Sequence, residues 1–359
     1  MLADDLTPFL RALLEEDGPS EDQDRLTERA VATLRDLGAF RAGVPEQWGG
    51  IEASFVEVSD RIVRLGAAAG AAAWVAALAY GSNLAGALLP DRGQEELWAT
   101  DPDAHACGSF SPSGTARPVR DGYVVDAVVE TVSGIHSAGW LMAMVLTEGT
   151  GQPVLVFVPT AEVTIERTWA VSGLRGSGSD RAVVAAVTVP THRVLAVSDF
   201  TAGMGQWGLP VDAFGPALLA APLIGLATGA VELARKTLRE GGTDRAALAD
   251  VRAAYADAAI AADRASSSYE AARAVLGTGV GKPEPTDIRR SVTAVSTAVA
   301  HAAQAGDLAA VAVGSSALQR EHRANRMWRD LETGSRHTLF TPRALAARYL
   351  ADLRTDAPT

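Results

Sequence analysis

The sequence predicts an α+β protein in three parts: an N-terminal helical domain over residues 1–104, a central β-domain over 105–200 and a C-terminal four-helix bundle over 201–359. Three observations predict it. Apolar residues recur at helical spacing through the first part. The middle part consists of Val-rich runs, alternating or wholly apolar, cut by Gly, Pro, Ser and Asp. After Pro210 the helical period returns.

In the first part, Leu6, Leu10, Leu13 and Leu14 form one helical stripe, and Leu26, Val31, Leu34 and Leu37 form another that Gly38 terminates. VPEQWGG, with Pro45 and the paired Gly49 and Gly50, reads as a loop, and a longer helix is expected from Phe55 through Leu78. In the middle part, GYVVDAVVETV, WLMAMVLTEG, PVLVFVP and RAVVAAVTVP read as strands, separated by turns at SPSG, RDG, TEGTGQP and GLRGSGSD. They predict a small barrel or sandwich. The last part carries candidate helices over 214–240, 245–277, 287–317 and 320–334, with a further one near 342–353, and a loop at GTGVGKPEPTD.

Composition excludes several function classes. A net charge of -11 and the lack of any compact Lys/Arg run disfavour nucleic acid and anionic membranes as partners, since both select a basic face. Cys107 is the single cysteine, so neither an internal disulfide nor a cysteine-built metal site is available. No histidine pair has zinc or iron spacing, and no metal is expected. The acidic N-terminus lacks the basic and apolar regions of a secretory signal, and AAAGAAAWVAALAYG reads as a buried helix rather than a span. A cytoplasmic protein is expected.

Five segments, in order, carry a family resemblance: LGAFRAGVPEQWGG, GAAAWVAAL around Trp74, ACGSFSPSGTARPV, TWAVSGLRGSGSDRAVVAAVTVPTHRV and NRMWRDLETGSRH. Together they resemble the acyl-CoA dehydrogenase superfold, and most closely its oxygen-using branch, the two-component flavin-dependent monooxygenases. That resemblance implies reduced FMN or FAD from a separate reductase, a C4a-hydroperoxide, and oxygenation of a small aromatic or polycyclic substrate. No Gly-x-Gly-x-x-Gly turn follows a strand, which agrees with a reductase on another chain. It also implies a homo-oligomer, dimer or tetramer, burying apolar helix faces such as AVSTAVAHAAQAGDLAAVAVGSSAL.

The resemblance assigns roles residue by residue. Ser133 matches a serine beside the flavin N5, and Ser109 and Ser111 lie in a segment running along the flavin. Arg175, Ser177 and Ser179, in GLRGSGSD, match a cofactor contact; glycines there let backbone approach a ligand. His337 matches a histidine directed at the flavin and its oxygen adduct, and imidazole suits proton exchange near neutrality. Arg329 and Asp330 match an ion pair that fixes the helix end. Read from the residues alone, Ser133-Gly134 is equally a strand-ending turn, Ser109 and Ser111 are solvated hydroxyls, and GLRGSGSD is a hairpin loop. His105, His192, His301 and His322 carry no functional reading; His136, near Ser133 in sequence, is a candidate to reach the same site.

An acyl-CoA dehydrogenase needs a carboxylate base, and where many of them place it this chain has Thr338; Glu232 and Asp257 are the candidates on other helices. Two departures from the branch bear on the flavin. Val129 replaces an aromatic on the strand before Ser133. The connection around REGGTDRAALADV is short where relatives supply an arginine to a phosphate; Arg239, Arg245 and Arg252 are candidates. The alternative these departures leave is a superfold member without flavin, acting as a cofactor-independent enzyme or a scaffold for a polyketide-like substrate.

Overall fold

The computed structural model describes residues 5–51, 53–241, 248–277 and 283–341. The expected helix near 342–353, and Arg245, lie outside the described residues. The chain divides into two compact units. One comprises 1–54, 74–170 and 175–206; the other comprises 55–73, 171–174 and 207–359.

The first unit opens with α1 (Thr7–Asp22) and α2 (Glu28–Asp36). α2 begins where the Thr27 hydroxyl accepts from the Ala30 amide at 3.0 Å, with Glu28 in the first turn and Arg35 in the last, both complementing the helix dipole. It ends at Gly38, which adopts φ 75° as the sequence predicts. Leu6 and Leu13 of the α1 stripe are buried, while Leu14 is 38% exposed: it lies one helical step, about 100°, beyond Leu13.

The β-domain is one seven-stranded sheet of β1 (Ala106–Val119), β2 (Gly122–Val132), β3 (Trp140–Thr147), β4 (Pro153–Pro159), β5 (Thr164–Glu166), β6 (Asp180–Pro190) and β7 (Val194–Ala196), in the order β5-β6-β2-β1-β3-β4-β7. β1 and β3 run parallel; every other neighbour is antiparallel. SPSG, expected as a turn, lies within β1. The strand absorbs the irregularity in register shifts between Ser109 and Pro112 and between Pro112 and Thr115, because proline has no N–H for the ladder. Val125, Val129, Leu141, Val156 and Val184 belong to the apolar core on this sheet. Val129 is therefore a core residue of the sheet. α5 (Asp91–Trp98) and α6 (Val197–Gln206) complete this unit, together with α4 (Gly70–Gly86) from Trp74 onward.

The second unit is helical: α3 (Phe55–Ala68), α7 (Val211–Glu240), α8 (Ala249–Arg273), α9 (Pro285–Val313) and α10 (Arg323–Ser335). α7, α8 and α9 pack on one another, and α10 packs on α7 and α9. The helix expected from Phe55 to Leu78 is two helices broken at Ala69. α3 lies so close to α7 that a Cβ on Gly225 would stand 2.1 Å from the Val63 carbonyl oxygen, and one on Gly66 2.5 Å from that of Pro222. Glycine is the residue that permits such an approach. α7 is long and apolar enough to cross a membrane, but 78% of its most apolar window is buried, which marks a core helix.

Candidate active site

The sequence-predicted residues fall into two groups, one in each unit, and each group is held by its own local chemistry.

In the first unit, β2 ends in a bulge: the register shifts between Val129 and Val132, and Thr131 takes φ 54°. Val132 pairs with Asp180 across the sheet, so the residues just beyond that pair, Ser133 and Ser179, meet. Their hydroxyls are 2.7 Å apart, and Ser179 is in turn 2.7 Å from Ser177 Oγ. The three oxygens form a series, all three serines under 7% exposed. Buried hydroxyls satisfy one another in this way because an unpaired one costs about 1–3 kcal/mol. The Trp74 indole N–H, from α4, donates to Ser133 Oγ at 3.2 Å, and the Gly134 amide donates to the Ser177 carbonyl at 2.8 Å. Ser133, Ser177 and Ser179, drawn from motifs more than forty positions apart, are thus one hydrogen-bonded element. The aromatic group beside Ser133 comes from α4, not from β2.

Asp180 anchors this element. It is 1% exposed; Oδ1 accepts from the amides of Thr168 (2.7 Å) and Trp169 (2.9 Å), and Oδ2 meets His136 Nε2 at 2.7 Å and Arg167 Nε at 3.4 Å. Burial works to raise its pKa, but the backbone donors and His136 outweigh it and hold the carboxyl below its ordinary value. His136 stands out in the sequence by its closeness to Ser133, but Asp180 gives no sign there of being its partner. A pair 44 residues apart leaves no spacing signal, and only the β2–β6 register brings them together. Beside them lies a cavity of about 430 Å³ lined by Gly134, His136, Ser137 and Ser177 on one side and Val31 and Arg35 of α2 on the other.

The other predicted residues of this unit stand elsewhere. Arg175 turns to α1 and the turn after it, with Nε 2.7 Å from Asp24 Oδ1 and Nη1 3.7 Å from Glu21 Oε1. Ser111 is exposed and Ser109 half-buried; the Ser111 amide donates to Ser109 Oγ at 3.2 Å, and neither joins the serine series.

In the second unit, two of the motifs dock on each other. Asp330 Oδ1 accepts from the Leu174 amide at 2.5 Å, and Arg329 Nη1 donates to the Ser172 carbonyl at 2.5 Å. A Cβ on Gly173 would stand 1.9 Å from the Arg329 carbonyl oxygen, so glycine is required. The Arg-Asp pair thus clamps the 172–174 turn through both side chains. His337, half-buried, follows α10, and its Nδ1 accepts from the Leu339 amide at 3.3 Å. Burial lowers its pKa below the ordinary value, so the ring is neutral at neutral pH with its proton on Nε2. It is a hydrogen-bond donor there, not a cation.

The alternative carboxylate bases are poorly placed. Glu232 is exposed, bonded to Arg235 at 2.5 Å and 2.7 Å, and held below its ordinary pKa by that arginine; Asp257 and Thr338 are exposed. Arg239 and Arg252 are also exposed. Among the described residues no three His, Cys, Asp or Glu side chains gather as a metal site.

No family-level sequence model matches the chain. It is similar to the oxygenase subunit HsaA of a flavin-dependent monooxygenase from Rhodococcus jostii (strain RHA1), at 31% identity over 96% of this chain and 95% of that one. It is similar to the oxygenase component of an FADH(2)-dependent resorcinol hydroxylase from Rhizobium sp. (strain MTP-10005), at 32% identity over 59% of this chain and 55% of that one. Among solved structures, 3-HSA hydroxylase from Rhodococcus sp. RHA1 superposes with a TM-score of 0.90 and 25% identity, covering 99% of this chain and 96% of that one. An identity of 31% sustained over nearly the whole of both chains, on a shared architecture, means that the chain belongs to the oxygenase subunits of the two-component flavin-dependent monooxygenases.

Proposed function

We propose that this oxygenase subunit hydroxylates a small phenolic or polycyclic aromatic substrate, with Ser133 at the flavin N5 and His337 beside the reacting oxygen. The enzyme uses reduced flavin delivered by a separate reductase, and the flavin, when bound, supplies the two electrons and activates dioxygen. Support for aromatic hydroxylation comes from the relatives, one of which is named for resorcinol.

The observation that carries the site is the buried Trp74–Ser133–Ser179–Ser177 series. Its donor chemistry fits a flavin edge: ring nitrogens and carbonyls take hydroxyl donors, and the series offers an O–H without a competing charge. Ser133 would orient the ring and Trp74 would hold Ser133. His337, neutral with Nε2–H as its donor, would bond the reacting oxygen and keep it from leaving as peroxide. The core position of Val129 supports retention of flavin despite the substitution there. The exposed Ile260, Val311 and Leu318, at 48%, 61% and 81%, support a homo-oligomer, dimer or tetramer, and an acidic chain whose one cysteine is buried suits the cytoplasm.

Anaerobic titration with reduced FMN and reduced FAD, followed by mixing with dioxygen and a panel of phenols, tests this reading. Saturable binding of one flavin and conversion of a phenol to its hydroxylated product are expected. Binding with no aromatic product would overturn the substrate class; reduced-flavin binding at wild-type strength in Ser133→Ala would overturn the site.

A further inference from the structure

The cavity beside α2 has an apolar strip with charged groups around it. α2 turns Ala30, Thr33 and Leu34 into the protein, and Glu28, Val31, Ala32 and Arg35, three or four positions apart, share the face that lines the cavity. Val31 and Ala32, with the buried Leu26 before the helix, supply the apolar strip. Glu28 and Arg35 stand at the two ends of that face.

Arg25 and His136 meet over Gly178, where a Cβ would stand 2.9 Å from His136 Cδ2 and 3.2 Å from Arg25 Cβ. The Arg25 backbone is fixed: its amide donates to the Ser20 carbonyl and its carbonyl accepts from Gln23 Nε2, both at 3.2 Å. Its exposed guanidinium, by contrast, has no ion pair or hydrogen bond among the described residues. Arg35 uses only Nη2 on Asp101, at 2.7 Å and 2.8 Å, so Nε and Nη1 are left over. His136 meets Asp180 through Nε2 and keeps Nδ1.

Among the described residues, Glu28 is the one carboxylate on the lining. Asp101 and Asp180 behind it are matched, the first by Arg35 and the second by two amides, His136 and Arg167. Two guanidinium groups with spare donors therefore face one carboxylate, a cationic spot on a chain of net charge -11. A guanidinium fork matches the two oxygens of a carboxylate. The volume of about 430 Å³ lies at the low end of the roughly 300–1,000 Å³ of small-molecule sites, so the ligand is small. Ser133 is not on the lining.

We propose that this cavity is a second ligand site, which takes a small carboxylic acid with an apolar body. The carboxylate pairs with the fork of Arg25, and Arg35 adds a second positive charge. The body of the acid lies on Leu26, Val31 and Ala32. The site stands on its own residues and does not depend on where the flavin docks.

Isothermal titration of the flavin-free protein with benzoate tests it, with benzamide as the uncharged isostere and acetate as the acid without a body. Benzoate is expected to saturate with a Kd of about 1 mM or tighter, and benzamide and acetate to bind about tenfold or more weakly. Arg25→Gln removes the fork and is expected to weaken benzoate about fivefold or more. Glu28→Gln removes the opposing charge and is expected to tighten it by about twofold to fivefold. Both side chains are exposed, so neither change disturbs the core. No saturation by benzoate, or benzamide binding as tightly as benzoate, overturns the proposal. A benzoate Kd unchanged in both variants places the acid elsewhere and overturns it too. Reduced-FMN Kd is expected to stay within about twofold of wild type in Arg25→Gln; a loss matching that of benzoate would make the cavity a flavin-phosphate site and overturn the carboxylic acid assignment.

Discussion

Replacing Gly173 by alanine tests whether the clamp between the 172–174 turn and α10 holds the second unit together. The new Cβ would stand 1.9 Å from the Arg329 carbonyl oxygen and 2.6 Å from the Asp330 amide nitrogen. Real Cβ contacts do not fall below 3.0 Å, so turn and helix must separate by at least 1.1 Å. The blocking atoms are backbone, and no rotamer change relieves them. The same displacement stretches the 2.5 Å bond from the Leu174 amide to Asp330 out of hydrogen-bond range. Losing a bond to a charged acceptor costs about 1.5–3 kcal/mol, and accommodating the extra methyl costs about 1–3 kcal/mol. A total of about 2.5–6 kcal/mol lowers the melting temperature of a unit this size by roughly 5–20 °C. Differential scanning calorimetry reads it, and Asp330→Asn, which keeps an acceptor oxygen, should fall by less. A Gly173→Ala protein melting within about 2 °C of wild type would refute the clamp.

Three further outcomes are expected. His337→Ala, which removes the Nε2–H donor, should lower product formation by about tenfold or more and raise hydrogen peroxide release per flavin oxidised; unchanged coupling would remove His337 from the chemistry. His105, stacked on Phe40 at 3.9 Å and 1% exposed, has its pKa pushed by burial down to about 4. The unfolded chain binds that proton near pH 6.5 and the folded one does not, so stability falls as pH drops from 6.5 to 4, by about 3 kcal/mol through this ring. Urea midpoints at pH 7 and pH 4.5 for wild type and His105→Gln should therefore converge on acidification, and parallel curves would contradict the assignment. Arg175→Ala breaks the pairing to Asp24 and Glu21, so it should cost about 1–3 kcal/mol in urea unfolding with reduced-flavin Kd unchanged; a tenfold weaker Kd would instead make Arg175 a cofactor ligand.

By itself the sequence determined the helix, strand, helix order along the chain and the family. Helix starts and stops such as Thr27 and Gly38, the two-residue turn of Arg120 and Asp121, and the Val-rich strands are set by neighbours a few positions away, so local pattern carries them. The same holds for the motif order that marks a flavin-dependent oxygenase. Where local signals conflicted, tertiary contacts decided. SPSG carries turn residues but lies in β1 between neighbouring strands, and the helix expected to run on from Phe55 breaks at Ala69.

The candidate site was legible as residue types and illegible as a network. Ser133, Ser177 and Ser179 stood out in their motifs, but their bonding depends on the Val132–Asp180 register, which no local spacing encodes. Trp74 reaches Ser133 from 59 positions away, and His136 reaches Asp180 across 44. The charge state of His337 also waited on the fold. Its sequence allowed an acid, a base or a donor; burial and the Leu339 amide leave a neutral ring with its proton on Nε2. Burial, register and partner choice are properties of the packed chain, because desolvation and hydrogen bonding act through space on groups the sequence keeps apart.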